Sequence, residues 1–245
     1  MSDLPEPVAE LCAALGAQPG VRAVALGGSR AARTADAASD WDLGLYYAGA
    51  VDLAVLARHG TVHPPGSWGR LMNGGAWLNL DGLKVDVMLR DLDVVQHWTA
   101  EAREGRYEVD SLLGYLAGAP TYLLTAELAV SRVLVGALPE APAYPEPLAE
   151  AGGRRWRFHA EFSLTHARMR AGRGDVTGAA GQAAQAVIET AHARACRDRR
   201  WVLNEKTLVE GAGLGALHER FTRIPSAPGR LTAWVDELTA ALDSA

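Results

Sequence analysis

The sequence predicts an α/β fold of the α+β kind, with a small mixed-sheet domain over residues 1–105 and an all-helical bundle domain over residues 106–245. Three observations predict it. Short apolar runs, several of them alternating and bounded by glycine and proline turns, crowd the stretch before residue 90. Beyond Gly105 the apolar residues recur instead at helical spacing over long stretches. With 49% hydrophobic and 22% charged residues among 245, the chain can bury an ordinary globular core.

Residues 7–15 set Val8, Leu11, Cys12 and Leu15 on one helical face, and Gly16 ends that helix. Val21–Leu26 reads as a short buried strand that stops at Gly27-Gly28-Ser29, where a weak helix begins and runs to Ala32. Residues 33–39 read as a loop. In the next strand, residues 42–47, Asp42, Gly44 and Tyr46 share one face while Leu43, Leu45 and Tyr47 share the other. Residues 51–59 read as a helix, and His63-Pro64-Pro65-Gly66 is a turn that its prolines bar from any central strand. Asn73-Gly74-Gly75 signals a tight turn before a hairpin of residues 76–80 and 83–89 closed by Asp81-Gly82. The second strand of that hairpin turns Val85, Val87 and Leu89 inward and Lys84, Asp86, Met88 and Arg90 to the opposite side. Asp91 is placed to cap a helix over residues 92–104. Helices follow at 121–135, 148–171, 176–199 and 230–242, with a proline-rich crossover at 139–147 and no alternating strand pattern.

A net charge of −5 argues against broad electrostatic attachment to nucleic acid or an anionic membrane and suits a small acceptor better. Cys12 and Cys196 lack the spacing of a disulfide framework or a zinc knuckle. The first residues are acidic where a secretory leader would be basic, and no apolar run spans a bilayer, so the expected compartment is cytoplasmic.

The chemistry concentrates in two short stretches. Glycines let a ligand oxygen reach bare backbone N–H groups and a serine adds a hydroxyl, so Gly27-Gly28-Ser29 at the mouth of a helix suits phosphate. Eleven residues past Ser29 stands Asp40, then Asp42, a spacing that points both carboxylates to one face of an extended segment. Carboxylates so placed are ligands for hard cations.

Gly28-Ser29 followed by Asp40-Trp41-Asp42, with an apolar strand on either side, resembles the signature of the polymerase-β-like nucleotidyltransferase superfamily. That superfamily includes the aminoglycoside and lincosamide nucleotidyltransferases, and the resemblance is specific over roughly residues 21–90. It implies a third acid on a later strand, and Asp86 stands in that place. It also implies transfer of a nucleoside monophosphate, AMP from ATP foremost, to a hydroxyl of a small-molecule acceptor such as an antibiotic. Two Mg2+ ions about 3.5–4 Å apart would be held by Asp40, Asp42 and Asp86, with Asp42 shared and Asp86 also serving as general base. Gly28 and Ser29 would hold the β- and γ-phosphates.

Other residues carry two readings each. Arg30 either adds charge to the phosphate cradle or pairs with a surface carboxylate. Lys206, the single lysine of the helical half, either reaches the triphosphate, as the resemblance implies, or is a solvated helix-end residue. Lys84 reads as a structural neighbour of Asp86. Arg154, Arg155, Arg157, Arg168, Arg170 and Arg173 line one helix with Trp156 and Phe158, the pattern of a contact to triphosphate or an RNA acceptor, or of a solvated helix whose aromatics face the core. Glu161 and Glu189 are candidates for binding a cationic acceptor or for an alternative base. Transfer to a protein or a tRNA end draws on the arginines, and a non-catalytic nucleotide-binding module is opposed by the presence of all three carboxylates. Gly211-Ala212-Gly213-Leu214-Gly215-Ala216 lacks the strand and helix of a dinucleotide fold and reads as a loop. His159 and His166 lack a third metal ligand, and no Walker pattern occurs.

Overall fold

The computed structural model describes residues 4–31 and 39–244. Ala32 and all but Ser39 of the expected loop fall outside the described residues. In chain order the elements are α1 (Glu6–Gly16), β1 (Val21–Leu26), α2 (Gly28–Ala31), β2 (Trp41–Tyr47), α3 (Ala54–Ala57), β3 (Gly60–His63), α4 (Gly69–Met72), β4 (Gly74–Leu80), β5 (Leu83–Asp91) and α5 (Leu92–Arg103). They continue with β6 (Val109–Asp110), β7 (Ala119–Pro120), α6 (Leu123–Val130), β8 (Arg132–Gly136), α7 (Glu146–Gly172), α8 (Val176–Arg197), α9 (Leu208–Gly211), a 3-10 turn (Gly215–Leu217), α10 (His218–Phe221) and α11 (Pro228–Ser244). The chain divides into two compact units, Met1–Glu101 with Thr121–Ala143, and Ala102–Pro120 with Tyr144–Ala245. Among the described residues no helix is long and apolar enough to cross a membrane.

The first unit holds a six-stranded mixed sheet in the order β3-β4-β5-β2-β1-β8. β2 and β5 pair in parallel, and the other neighbours pair antiparallel. Strand alternation sends Val24, Leu26, Leu43, Leu45, Val85, Val87 and Leu89 to one face, where Val8, Leu11, Cys12 and Leu15 of α1 complete the core. The same alternation leaves Asp42, Gly44 and Tyr46 of β2 and Asp86, Met88 and Arg90 of β5 on the opposite face, as expected from the sequence. Asp91 caps α5 by accepting the Asp93 N–H at 2.9 Å.

Two expectations need correction here. Residues 121–135 are not one helix. α6 ends at Val130, Ser131 turns to extended backbone at ψ 143, and β8 then joins the sheet against β1. The nearly continuous apolar run hides that break, and the β-branched pair Val133 and Val135 favours the strand. The helix at 51–59 shrinks to α3, because Gly60 opens an edge strand against β4 that Pro64 and Pro65 then close.

α6 lies over one end of the polar face. Its Glu127 accepts two hydrogen bonds from Arg90, from Nε at 2.6 Å and Nη2 at 2.7 Å. Arg90 also donates through Nη1 to the carbonyls of Met72 and Leu89. Its side chain is only 1% exposed, so the guanidinium is a buried charge whose compensation comes chiefly from Glu127.

The second unit is built on the antiparallel pair α7 and α8, whose seam is lined by Ala160, Ala167, Ala171, Ala179, Ala183 and Ala186, all fully or nearly buried. Small residues let the two helices approach closely. Asp175 caps α8, accepting the Gly178 N–H at 2.8 Å, and Leu231, Trp234, Val235 and Leu238 of α11 complete the core. The expectation that the chain beyond Gly105 is free of strands fails at β8 and at a two-residue ribbon, β6 with β7, too short to leave an alternating pattern. The stretch 211–216 is helical in part, closing α9 and opening the 3-10 turn, rather than a plain loop. In this core His192 is 1% exposed and stacks on Trp156 with ring centroids 4.4 Å apart. Among the described residues neither of its ring nitrogens meets a hydrogen-bond partner, and burial pushes its pKa down to about 3.

Replacing Glu127 by alanine strands the Arg90 charge and should lower unfolding free energy by about 3 kcal/mol, read from urea unfolding followed at the sheet. His192 binds its proton more readily in the unfolded chain, so its contribution is full above pH 6.5 and is lost as pH falls from there toward about 3. Glu189, whose buried carboxyl sits above its ordinary range, acts in the opposite sense at higher pH. A comparison with His192→Phe isolates the histidine: the variant's stability relative to the parent should rise on acidification by up to about 1.4 kcal/mol per pH unit within that window.

Candidate active site

Parallel pairing of β2 with β5 places Asp42 directly opposite Asp86. Residues in register on neighbouring strands share a face at a spacing of about 4.8 Å, so the two carboxylates rise from adjacent points on the polar side. Both are half-buried. Asp40 lies just before β2 and is half-buried as well.

The glycine-serine turn meets this pair at the end of β1. Antiparallel pairing of Leu26 with Leu43 brings the turn beside the start of β2, and the Gly27 N–H donates to the Asp42 carbonyl at 2.8 Å. Gly28 follows at φ +58, and a Cβ there would stand 1.8 Å from Asp42 Oδ2. Only a residue without a side chain lets the turn close on that carboxylate. Ser29 and Arg30 continue into the single turn of α2.

Among the described residues Arg30 meets backbone carbonyls and an indole ring. Its Nε donates to the Asp40 carbonyl at 3.1 Å and its Nη2 to the Ser39 carbonyl at 2.5 Å, while its guanidinium lies 4.2 Å above the Trp41 ring. The cation therefore clamps the backbone that carries Asp40 into β2. Lys84 shares the face of Asp86 and is exposed opposite Asn79.

Lys206 belongs to the second unit. Its side chain is exposed, and its N–H donates to Asn204 Oδ1 at 3.0 Å. The neighbouring Glu205 carboxylate accepts the N–H groups of Leu116 and Ala117 at 2.6 and 2.9 Å. Of the two aromatic residues singled out on the arginine-rich helix, Trp156 is fully buried, but Phe158 is exposed rather than turned to the core. Glu189 is buried and accepts from Gln185 Nε2 at 3.0 Å, whereas Glu161 is exposed.

Sequence reading passed over an aromatic group on the same face. Two-residue closure of the β4–β5 hairpin at Asp81-Gly82 pairs Leu80 with Leu83, and counting back sets Trp77 opposite Asp86. That register was available from the turn alone. Trp77 is 54% exposed and contacts the rings of His63 and Trp68.

Among the described residues no group of three or more His, Cys, Asp or Glu is arranged to hold a metal ion by itself. Magnesium, however, commonly takes one or two carboxylates and completes its shell with water and substrate phosphate. The oxygen donors of Asp42 and Asp86, beside the glycine-serine turn, fit that mode.

No family model matches the chain, and no curated protein matches it. A solved nucleotidyltransferase-like protein from Exiguobacterium sibiricum 255-15 is similar with a TM-score of 0.48 and 12% identity, over 98% of this chain and 74% of that one. A likeness that distant leaves the chemistry to rest on the chain's own geometry. That geometry makes Gly28 the least replaceable residue of the turn. Gly28→Ala should cost about 2 kcal/mol in chemical unfolding, against about 1 kcal/mol for Gly49→Ala, where φ is also positive but nothing stands within 4 Å of the new Cβ.

Proposed function

We propose that the chain is a metal-dependent nucleotidyltransferase that moves a nucleoside monophosphate, AMP from ATP foremost, to a hydroxyl of a small-molecule acceptor such as an antibiotic. One observation carries the reading: Asp42 and Asp86 pair in register on parallel strands, and the Gly28 turn closes on Asp42.

In this reading the Gly28 and Ser29 N–H groups and the Ser29 hydroxyl donate to the β- and γ-phosphates. Asp40, Asp42 and Asp86 would hold Mg2+, with two ions expected. When bound, the metal neutralises charge on the triphosphate and on the departing pyrophosphate. Asp86 takes the proton from the acceptor hydroxyl while that oxygen bonds to the α-phosphorus and the bond to pyrophosphate breaks. Arg30 holds the strand entrance so that Asp40 and Asp42 keep their orientation. The acidic net charge of −5 supports a small acceptor over a nucleic acid.

Pyrophosphate release from ATP, CTP, GTP or UTP with magnesium and an aminocyclitol panel tests the reading. Asp42→Asn should lower turnover by about a thousandfold or more while its melting temperature stays near the parent's. Turnover that survives the substitution, or an absence of pyrophosphate with every acceptor, would remove the assignment.

A further inference from the structure

Across the sheet the order β1, β2, β5, β4 sets four chemistries side by side: the glycine-serine turn, Asp42, Asp86 and Trp77. Neighbouring strands are about 4.8 Å apart, so the indole springs one strand beyond Asp86, on the side away from the turn. A large apolar ring 54% exposed beside a carboxylate is costly to leave in water.

The ring is also held in place. Trp68 lies 5.4 Å from it at an interplanar angle of 32°, and His63 meets it edge-on at 4.6 Å. His63 and Trp68 are themselves 4.9 Å apart, so the three rings form one cluster. Trp68 rests on the sheet where Gly75 lacks a side chain, since a Cβ there would stand 2.5 Å from the indole. Asn73 ties the intervening loop down. Its carbonyl accepts the Trp68 N–H at 3.0 Å, its Oδ1 accepts the Gly66 N–H at 2.9 Å, and its Nδ2 donates to the Tyr47 hydroxyl at 2.7 Å. His63 Nε2 is buried without a hydrogen-bond partner among the described residues. Such a cluster holds the Trp77 indole with little rotamer freedom left to lose on binding.

We propose that Trp77, braced by Trp68 and His63, is the stacking platform for the acceptor, which therefore carries its reactive hydroxyl on a ring with an apolar face. The assignment of this ring as acceptor rests on the nucleotidyltransferase reading. With phosphate at the turn and the proton acceptor at Asp86, the body of the attacking molecule has to extend past Asp86, and Trp77 is the next residue in that direction. A saturated ring would lay its C–H groups on the indole and an aromatic ring would stack on it.

Saturation-transfer NMR with streptamine as the saturated ring, tyramine as the aromatic ring and sorbitol as the open chain tests this. At least one ring compound should bind both the parent and Asp42→Asn, with sorbitol much weaker. Trp77→Ala should weaken that binding at least tenfold and Trp77→Phe by less than about threefold, with both variants melting near the parent. The ring compound that binds tells saturated from aromatic. Equal binding by Trp77→Ala, sorbitol binding as tightly as the rings, or no ring binding would overturn the platform. So would a Trp77→Ala effect confined to ATP, which would make the indole a nucleobase contact. Ring binding without any pyrophosphate release would keep the platform and sink the transferase, whereas release that Trp77→Ala leaves untouched would do the reverse.

Discussion

The parallel pairing of β2 with β5 is the constraint on which the rest of the first unit depends. Parallel neighbours cannot be joined by a tight turn, so the chain leaves β2, forms α3, β3 and α4, and returns through β4 before β5 can lie beside β2. That detour fixes the register that sets Asp42 opposite Asp86. Residues so paired rise from points about 4.8 Å apart on one face, which makes the two aspartates neighbours across the sheet and not along the chain.

The polar face is finished differently at its two ends. Toward the C-terminal end of β5, α6 and the Arg90–Glu127 pair seal Tyr46 and Arg90 from water, and burial with the nearby Glu127 pushes the Tyr46 hydroxyl up to about 12. Toward the start of β2 and β5, Asp42 and Asp86 remain half-buried. A buried ion pair contributes little net stability over an apolar substitute, but it fixes which way a helix sits. Here it holds α6 over one part of the face, and the carboxylate end is left accessible.

How much of this was legible follows from range. Alternation in β2 and β5 is local, so the inward and outward residues could be assigned from the sequence, as could the cap at Asp91 in terms of residue type. The three acids and the glycine-serine turn were legible as a motif. What escaped depends on partners distant in the chain. β8 takes its place by pairing with β1, more than a hundred residues earlier, and the strand preference of its two β-branched valines is lost in the apolar run that continues from α6. Arg30 has the sequence context of a phosphate ligand, and only the path of residues 39–41 around it reveals a backbone clamp. Trp77 was hidden for another reason: its place opposite Asp86 follows from the hairpin register, but reading a motif looks along the chain and not across it.

The second unit bears on the choice of acceptor through its arginines. Arg155 donates to the Tyr107 carbonyl at 2.7 Å, Arg168 pairs with Asp236 at 2.7 Å, Arg170 with Asp175 at 2.8 Å, and Arg154 lies 3.8 Å from Glu150. With four of the six guanidinium groups meeting a carboxylate or a carbonyl of their own unit, the helix offers less field to a phosphate backbone than the bare sequence suggests. Exposed pairs of this kind add little stability, so their effect is on the surface potential. Recognition by a compact ring surface next to a reactive carboxylate asks nothing of that field. The partly paired arginines of one unit and the exposed indole of the other are independent features that both suit the proposed small cyclic acceptor.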